Sequence, residues 1–347
     1  MTDREWADLK RILAGEILGP PPLGLIIDSP WLPQWVGENI IDYFSSDEVW
    51  RRANFEAIET FPEVMFLPGF WSEFGMCTEP SAFGARCSFP ANDFPFAHKI
   101  IRSVEDIERL PVPDPRIDGL PPFMLNRLKL NRPKLEDRGH RLRFAVSRGP
   151  LNISTFLMGA TEFLSEMMMH PDEIHVLIDK VTRFLKSWLE LQMETIPTID
   201  GILLLDDIIG FMGKDQFKEF GFPSFKELFS LGGSVKFLHN DALCAQSLEF
   251  LPDLGVNLFN MAFDTDLNQL KRATGQKVTM LGNVPPRDVL AEGTPDDVRK
   301  AVRTLLDGLE DRSRVILSVG GAVPSGVPTA NIRAFIDEAH RPNPIRA

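Results

Sequence analysis

The sequence predicts an α/β fold, a (β/α)8 TIM barrel with an inserted segment between its second and third strands. Eight short apolar runs bounded by polar residues are typical of buried strands. Polar residues follow directly after most of them, and in a barrel those strand ends meet at one face, where active sites are built. An open sheet of eight parallel strands is the alternative. The runs are Leu23–Ile27, Val64–Leu67, Leu142–Ser147, Gly201–Leu205, Val235–His239, Val256–Asn260, Val278–Leu281 and Val315–Ser318.

Stretches with helical periodicity separate most of the runs and supply the helices that such a fold requires. One of them begins with a clear cap, because Thr294 precedes Asp296 and Asp297 in the first turn. The predicted helices are Thr155–Met169, Glu173–Glu194, Pro295–Gly308 and Ala330–His340.

The segment Pro68–Arg141 is too long for a simple connection between a strand and a helix. It contains a predicted hairpin, Ala82–Ser88 against Asp93–Ile100, and a proline-rich stretch, Leu110–Pro122. We interpret this segment, about residues 68–141, as an insertion that covers part of the barrel mouth. The whole chain, residues 1–347, is then expected to form a single domain.

Charge and composition exclude several classes of function. Asp and Glu number 49 against 37 Lys and Arg, a formal net charge of −12. A surface this acidic repels phosphate backbones and anionic lipid, so neither nucleic acid nor a membrane is an expected partner. No apolar run approaches the roughly 20 residues that span a bilayer, and no signal peptide is recognisable. The 3 cysteines at irregular spacing suit a reducing compartment, which predicts a cytoplasmic protein.

The sharpest local signal is the pair His239 and Asp241 at the end of the fifth run. An imidazole and a carboxylate two residues apart could hold Zn²⁺ or another divalent ion, or could form a base and its orienting group. The alternative is a histidine that only satisfies a loop carbonyl. Asp206 and Asp207 follow the fourth run, where one carboxylate is expected to act at the site while the other caps a helix or pairs with a lysine.

Other polar and aromatic residues after the strands are candidates for binding a substrate. Arg148 could pair with an anionic group of a substrate or with an acid of a neighbouring loop. Trp31 could line a flat apolar ligand or pack beneath the insertion. Asp28, Asn260 and Asn283 complete the set of candidates. No C-x-x-C, G-x-G-x-x-G, Walker A, G-x-S-x-G or H-E-x-x-H motif occurs, so nothing local supports a zinc ribbon, a nucleotide site or a serine hydrolase.

Several motifs, in the same order along most of the chain, resemble the uroporphyrinogen decarboxylase superfamily, which includes zinc-dependent methyltransferases that serve corrinoids and coenzyme M. The stretch LGNVPPRDVLAEGTPDDVRKAV is similar to the family pattern GN-x-x-P followed by L-x-x-GTP-x-x-V, and VGGAVPSGVPTANIRAFIDEA is similar to its ending. GPLNISTFLMG, DDIIGFMGKDQFKEFGFP and EPSAFGARCSFP match further segments. The resemblance implies a (β/α)8 barrel.

Departures from the family patterns bear on the activity that the resemblance implies. The stretch 24–35 lacks the arginines with which true uroporphyrinogen decarboxylases grip substrate carboxylates, and Phe156 lies near the position of an expected tyrosine. The methyltransferase branch binds zinc through a His-x-Cys pair and a later cysteine. His239 matches that histidine, whereas Asp241 and Gly321 replace the two cysteines. Oxygen ligands suit a metal that polarises an oxygen substrate, such as a methyl ether, better than one that activates a thiol.

The resemblance and the residues together predict a methyltransferase-like enzyme. His239 and Asp241 would bind a divalent metal, zinc in the family, with help from Asp206 or Glu79, and a corrinoid on a partner protein would accept the methyl group. The alternative enzyme is a decarboxylase acting on a tetrapyrrole or a smaller carboxylated ring, with Arg148 positioning the substrate and Asp206 or Asp28 holding the protonated intermediate. A barrel that binds a tetrapyrrole or corrinoid without catalysis is the third hypothesis.

Overall fold

A computed structural model describes residues 1–27 and 31–341 of the chain. Its central feature is a curled sheet of eight parallel strands, in the order β2-β1-β8-β7-β6-β5-β4-β3. All eight predicted strands are confirmed, with small shifts of their ends. The strands are β1 (Leu23–Leu25), β2 (Val64–Phe66), β3 (Phe144–Arg148), β4 (Gly201–Leu205), β5 (Val235–Asn240), β6 (Leu258–Met261), β7 (Thr279–Val284) and β8 (Val315–Val319).

Helices surround the sheet, and the TIM-barrel-like α/β class is confirmed. The predicted helix Pro295–Gly308 has the predicted bounds and the Thr294 cap. The α-helices are Asp3–Leu13, Trp31–Trp35, Ile40–Ser45, Asp47–Thr60, Thr78–Ala82, Glu105–Arg109, Pro121–Glu136, Pro150–Met158, Ala160–Met169, Pro171–Thr195, Lys214–Gln216, Phe222–Phe229, Leu251–Leu254, Leu267–Ala273, Pro295–Gly308 and Thr329–Ala339. None in the described ranges is long and apolar enough to cross a membrane.

The single predicted helix Thr155–Met169 is wrong, because the chain forms two helices that meet at Gly159. Gly159 has φ 103°, a backbone conformation that side-chain-bearing residues rarely adopt and that a continuous helix does not contain. The sequence periodicity continues across this break, so periodicity alone does not show it.

Side chains from alternate strand positions fill the interior of the curled sheet. Val235 and Phe237 of β5, Leu258 of β6 and Leu281 of β7 belong to one buried cluster. Successive residues of a strand point to opposite faces, so the next inward positions toward the carboxyl ends are 239, 260 and 283. The amino-terminal helix Asp3–Leu13 packs into the same cluster and covers the other end of the sheet.

The sheet does not close between β2 and β3 in the described residues, unlike the closed barrel that the sequence predicts. Side chains cover the free edge of β3 instead. The Gln192 amide donates to the carbonyl of Val146 at 3.0 Å and accepts from its N–H at 3.0 Å. Glu79 Oε1 accepts from the N–H of Arg148 at 3.1 Å. These contacts pair the backbone groups that a neighbouring strand would otherwise pair.

The insertion contains the helices Thr78–Ala82, Glu105–Arg109 and Pro121–Glu136. Its predicted hairpin is present but short, since only Cys87–Ser88 pairs with Phe96–Ala97. Ala82 ends a helix and does not begin a strand, so that boundary of the prediction is wrong.

Candidate metal centre

His239 is held with one ring nitrogen turned toward a carboxylate pair. It is the fifth residue of β5 and is 5% exposed. Its Nδ1 lies 2.7 Å from Asn260 Oδ1. The Asn260 amide nitrogen donates to the carbonyls of Leu281 at 2.7 Å and Val319 at 3.2 Å, which fixes Oδ1 as the atom facing the imidazole. Because that oxygen only accepts, Nδ1 carries the hydrogen and Nε2 keeps its lone pair for a metal.

Asp207 and Asp241 face that nitrogen. His239 Nε2 lies 4.0 Å from Asp207 Oδ1 and 3.9 Å from Asp241 Oδ2, and one ligand atom from each residue lies within 4.8 Å of the others. These distances are too long for hydrogen bonds. They suit ligands that each lie about 2 Å from a shared divalent ion. The three residues therefore form a candidate metal centre.

The electrostatics of this group favour a cation. Partial burial raises the pKa of Asp207, and the neighbouring Asp241 raises it further, while His239 acts in the opposite direction. The backbone N–H of Asp241 donates to Asp207 Oδ1 at 3.0 Å and so keeps the two residues together. A bound divalent ion would neutralise the repulsion between the two carboxylates.

Asp206, a predicted catalytic residue, lies apart from this group. It is fully buried, and its Oδ2 accepts from the N–H groups of Leu151 at 2.9 Å and Asn152 at 3.1 Å. Its Oδ1 accepts from the N–H of Ile208 at 3.2 Å. Burial raises its pKa well above the ordinary range. Asp206 thus caps two short helical segments, and Asp207 is the aspartate that faces the metal centre.

The sequence analysis missed this role of Asp207, although a signal for it exists. Leu203 and Leu205 of β4 contact the barrel interior, and a period of two continues to position 207. Glu79, a predicted metal ligand, also lies outside the group. Its Oε1 accepts from the Ser147 hydroxyl at 2.9 Å and from the N–H of Arg148, at the edge of β3.

The predicted substrate-binding residues occupy different surroundings. Asn260 orients His239, as described above. Asn283 donates to the carbonyls of Ala262 at 3.4 Å and Thr265 at 2.7 Å, and so holds the loop after β6. Trp31 lies in the core at 1% exposure, donates to the Val327 carbonyl at 3.1 Å and stacks on Trp35, so it packs rather than lines the mouth. Asp28 lies outside the described residues.

Arg148, the last predicted substrate-binding residue, is paired with an acid of a neighbouring loop. Its Nη2 lies 3.0 Å from Glu73 Oε2, and both side chains are buried. Glu73 was not a sequence-based candidate, because it lies six residues beyond the end of the predicted second strand, inside the insertion. This outcome favours the second of the two interpretations given for Arg148.

Gly321 lies beside the metal centre. A Cβ atom at this position would lie 3.2 Å from both Cβ and Oδ2 of Asp241. In the resemblance given above this is the position of the second family cysteine. The carboxylate of Asp241 therefore occupies space next to the position where the methyltransferase branch has a thiolate.

The fold and this site define a class, TIM-barrel-like α/β proteins with a polar site at the carboxyl ends of the strands. The family model for uroporphyrinogen decarboxylase (URO-D) matches residues 53–342. The chain belongs to the uroporphyrinogen decarboxylase (URO-D) family, and the resemblance found in the sequence is confirmed. The curated relatives that match are enzymes, uroporphyrinogen decarboxylases.

Individual relatives are distant but cover most of the chain. The uroporphyrinogen decarboxylase of Salmonella dublin is 23% identical over 280 residues, 76% of this chain and 76% of that protein. The Proteus mirabilis enzyme is 25% identical over 290 residues, 76% and 75% of the two chains. The structure of a methyltransferase from Methanosarcina mazei matches with a TM-score of 0.79 and 19% identity, covering 95% of this chain and 96% of that one. A B12-independent methionine synthase from Shewanella sp. W3-18-1 matches with a TM-score of 0.55 and 10% identity, covering 92% and 95%. These structures share the fold.

Proposed function

We propose that this protein is a metal-assisted methyltransferase that moves a methyl group from a small substrate, such as a methyl ether, to a corrinoid. The observation that carries the proposal is the group Asp207, His239 and Asp241, with His239 oriented by Asn260. One imidazole nitrogen and two carboxylates, without a thiolate, are a donor set that fits zinc or another divalent ion. When bound there, such an ion would act as a Lewis acid toward a substrate oxygen.

The residues around the centre support chemistry on a bound small molecule. Asn260 holds the imidazole in one tautomer and one orientation, so that Nε2 needs no rearrangement to bind. Asp206 fixes the backbone on which Asp207 stands, through its bond to Ile208. The burial of His239 keeps bulk water from most of the ring.

The charges near the strand ends favour a neutral substrate over a polycarboxylate. Asp207 and Asp241 face the site, and Arg148 is already paired with Glu73. The stretch 24–35 contains no arginine. A tetrapyrrole with many carboxylates would therefore meet repulsion with little compensation. This observation favours methyl transfer over decarboxylation, the activity that names the curated relatives.

Exposed apolar side chains on three successive loops support a protein partner. Phe211 follows β4, Leu243 follows β5 and Phe263 follows β6, with exposures of 66%, 57% and 48%. Large apolar groups left in water near a site are typical of surfaces that bind another protein. The corrinoid is therefore proposed to arrive on a partner protein at this end of the barrel.

The first experiment measures metal content and affinity of the purified protein beside His239→Ala. We expect near-stoichiometric divalent metal in the wild type and its loss in the variant. His175→Ala is the matched control, because His175 is a half-exposed histidine on the outer helix Pro171–Thr195 and should leave metal binding unchanged. Circular dichroism checks that both variants fold.

The second experiment measures methyl transfer from methyl ethers to reduced cobalamin with and without the metal. We expect transfer that is lost on metal removal and restored on reloading. Full transfer by the metal-free protein would contradict the metal-assisted mechanism. Carbon dioxide released from a carboxylated ring would favour the decarboxylase, and a tetrapyrrole or corrinoid that copurifies without turnover would favour a binding protein.

A further inference from the structure

A buried pair of charges lies on β3, two strands away from His239 of the metal centre. Arg148 ends β3, is aligned with Leu205 of β4, and Leu205 is aligned with His239 of β5. Two strand spacings separate Arg148 from His239, about 10 Å along the sheet. Positions 148 and 239 both face the interior by the strand alternation, so Arg148, with Glu73 at 3.0 Å, is directed toward the same interior as His239.

A second carboxyl group, that of Glu79, lies near this pair and changes the net charge of the cluster. Glu79 is 2% exposed and lies close enough for its charge to act on Glu73. Glu73 Oε1 and Glu79 Oε2 are buried, and neither has a hydrogen-bond partner among the described residues. Two ionised carboxylates beside one guanidinium would leave a net negative charge away from water. Binding one proton removes that charge.

Of the two carboxyl groups, Glu73 is the one whose surroundings favour the protonated form. Glu79 already accepts two hydrogen bonds, from the Ser147 hydroxyl and the N–H of Arg148. Burial raises the pKa of Glu73, and Glu79 raises it further, while Arg148 acts in the opposite direction.

Two cysteines and an aromatic ring also lie near this cluster. The Cys87 thiol donates to the carbonyls of Cys77 at 3.9 Å and Ala85 at 3.6 Å, and the charge of Arg148 acts on Cys77. The ring of Phe94 lies 5.9 Å from the Arg148 guanidinium. No second cation faces Glu73 among the described residues that act on it.

We propose that Glu73 is the proton donor of the site, a neutral carboxylic acid that protonates the leaving oxygen of the substrate. The inference rests on the proposed function and adds the acid to it. In the step, the bond between the methyl carbon and the leaving oxygen breaks, and a bond from that carbon to the nucleophilic atom of a reduced corrinoid forms. The oxygen keeps the electron pair of the broken bond and takes the proton of Glu73, which remains as a carboxylate beside Arg148.

The first test compares thermal unfolding of the wild type and Glu73→Gln across pH. A carboxyl group whose folded pKa is raised stabilises the fold at pH values below its unfolded pKa, and this stabilisation is lost as the pH rises through the folded pKa. We therefore expect Glu73→Gln, which resembles the neutral acid, to melt at or above the wild-type temperature near pH 8. The difference should shrink toward acidic pH.

The opposite result would overturn the inference. If Glu73 were an ionised partner of Arg148, Glu73→Gln would remove one side of a buried ion pair and would lower the melting temperature at neutral pH. Glu79→Gln is the matched variant. Removing that neighbouring charge should lower the pKa of Glu73 and move the pH dependence of unfolding to lower pH.

The second test measures turnover, with metal content as a control. Wild-type kcat should fall as the pH rises through the pKa of Glu73, and Glu73→Gln should lower kcat by about 10²–10⁴-fold. We expect its metal content and KM to stay near the wild-type values. A methyl ether of a strongly acidic phenol, whose leaving oxygen needs no proton, should restore most of the activity.

The outcomes separate the two proposals. A wild type that transfers methyl groups, with an unchanged kcat and pH profile in Glu73→Gln, overturns the assignment of Glu73 and leaves the proposed function in place. A wild type that transfers no methyl group overturns the proposed function, and proton donation with it. The melting curves still show in that case whether Glu73 holds a proton.

Discussion

Two walls of the barrel mouth differ in how they are built: one is formed by β5 and β6, and the other by the edge of β3. On one wall, His239, Asn260 and their neighbours stand on strands whose backbone groups pair within the sheet, and each polar contact orients the next. On the other wall the sheet is open in the described residues, and side chains such as Gln192 take the place of the missing strand. Glu73 Oε1 and Glu79 Oε2 lie there, buried and without a hydrogen-bond partner among the described residues.

In the proposed mechanism, this difference separates metal binding from proton donation. A metal ligand needs a fixed position and orientation. The hydrogen-bonded strands and Asn260 give His239 both. A proton donor must be able to exist as a neutral acid and as a carboxylate. In a cluster of two carboxyl groups beside one guanidinium, the neutral form of one carboxyl group is favoured. The wall with the poorer hydrogen bonding is therefore the wall that can exchange a proton.

The largest contrast is expected between two adjacent aspartates on the wall of β4. Asp206→Ala leaves three buried backbone N–H groups without an acceptor. Each costs about 1–3 kcal/mol, so we expect the free energy of unfolding to fall by at least about 3 kcal/mol. Asp207→Ala should change it by less than about 1 kcal/mol, since the side chain is partly exposed, but should abolish metal binding.

Urea unfolding and metal titration of both variants check this contrast. The reverse pattern, with metal binding lost at position 206 and kept at 207, would show that the sequence-based choice of Asp206 was correct. Equal losses of stability would show that the loop after β4 acts as one unit.

The next effect concerns the open edge of β3. Gln192→Leu leaves both backbone groups of Val146 unpaired. We expect a loss of about 2 kcal/mol or more in the free energy of unfolding. Thr182→Val on the same helix is the control, because the Thr182 hydroxyl donates only to the Ile178 carbonyl within its own helix. Similar unfolding midpoints for the two variants would mean that the edge of β3 is covered by something other than Gln192.

The strands were predictable and the edge was not, for a physical reason. Each strand leaves a local mark, a short apolar run ending in polar residues, and Gly201–Leu205 is found with the predicted bounds. Gln192 covers β3 from a helix 46 positions farther along the chain, and no local pattern reports such a contact. The break at Gly159 likewise depends on one backbone conformation inside a continuous helical pattern.

The candidate site, like the fold, was predictable only where a local sequence pattern exists. His239 and Asp241 could be chosen because both lie at one strand end, where spacing is informative. The choice between Asp206 and Asp207 depends on which of them points inward, which requires counting along β4 in steps of two. No local sequence pattern identifies Glu73, because it contacts Arg148 across a separation of 75 positions in the chain.

A smaller effect is expected from the residue that orients the imidazole. Asn260→Ala removes the acceptor of His239 Nδ1 without removing a ligand. Loss of such an outer partner weakens metal binding by about 10–100-fold. Asn283→Ala is the control, because Asn283 donates to Ala262 and Thr265 and not to the imidazole. Equal metal affinities for these two variants, measured by competition with a chelator, would contradict the role given to Asn260.

The smallest effect is expected at Gly321, which has φ 95°. Gly321→Ala forces a side chain into a left-handed conformation, at about 1–2 kcal/mol, and places its Cβ 3.2 Å from Asp241 Oδ2. Gly255→Ala is the matched control, because Gly255 has φ 86° and a Cβ there would meet no described atom within 4 Å. Both variants should lose similar stability, but only Gly321→Ala should weaken metal binding, by less than about 10-fold, a difference of 1.4 kcal/mol. Equal metal affinities would mean that Asp241 can move aside freely, and the ordered wall would then consist of His239 and Asn260 without this carboxylate.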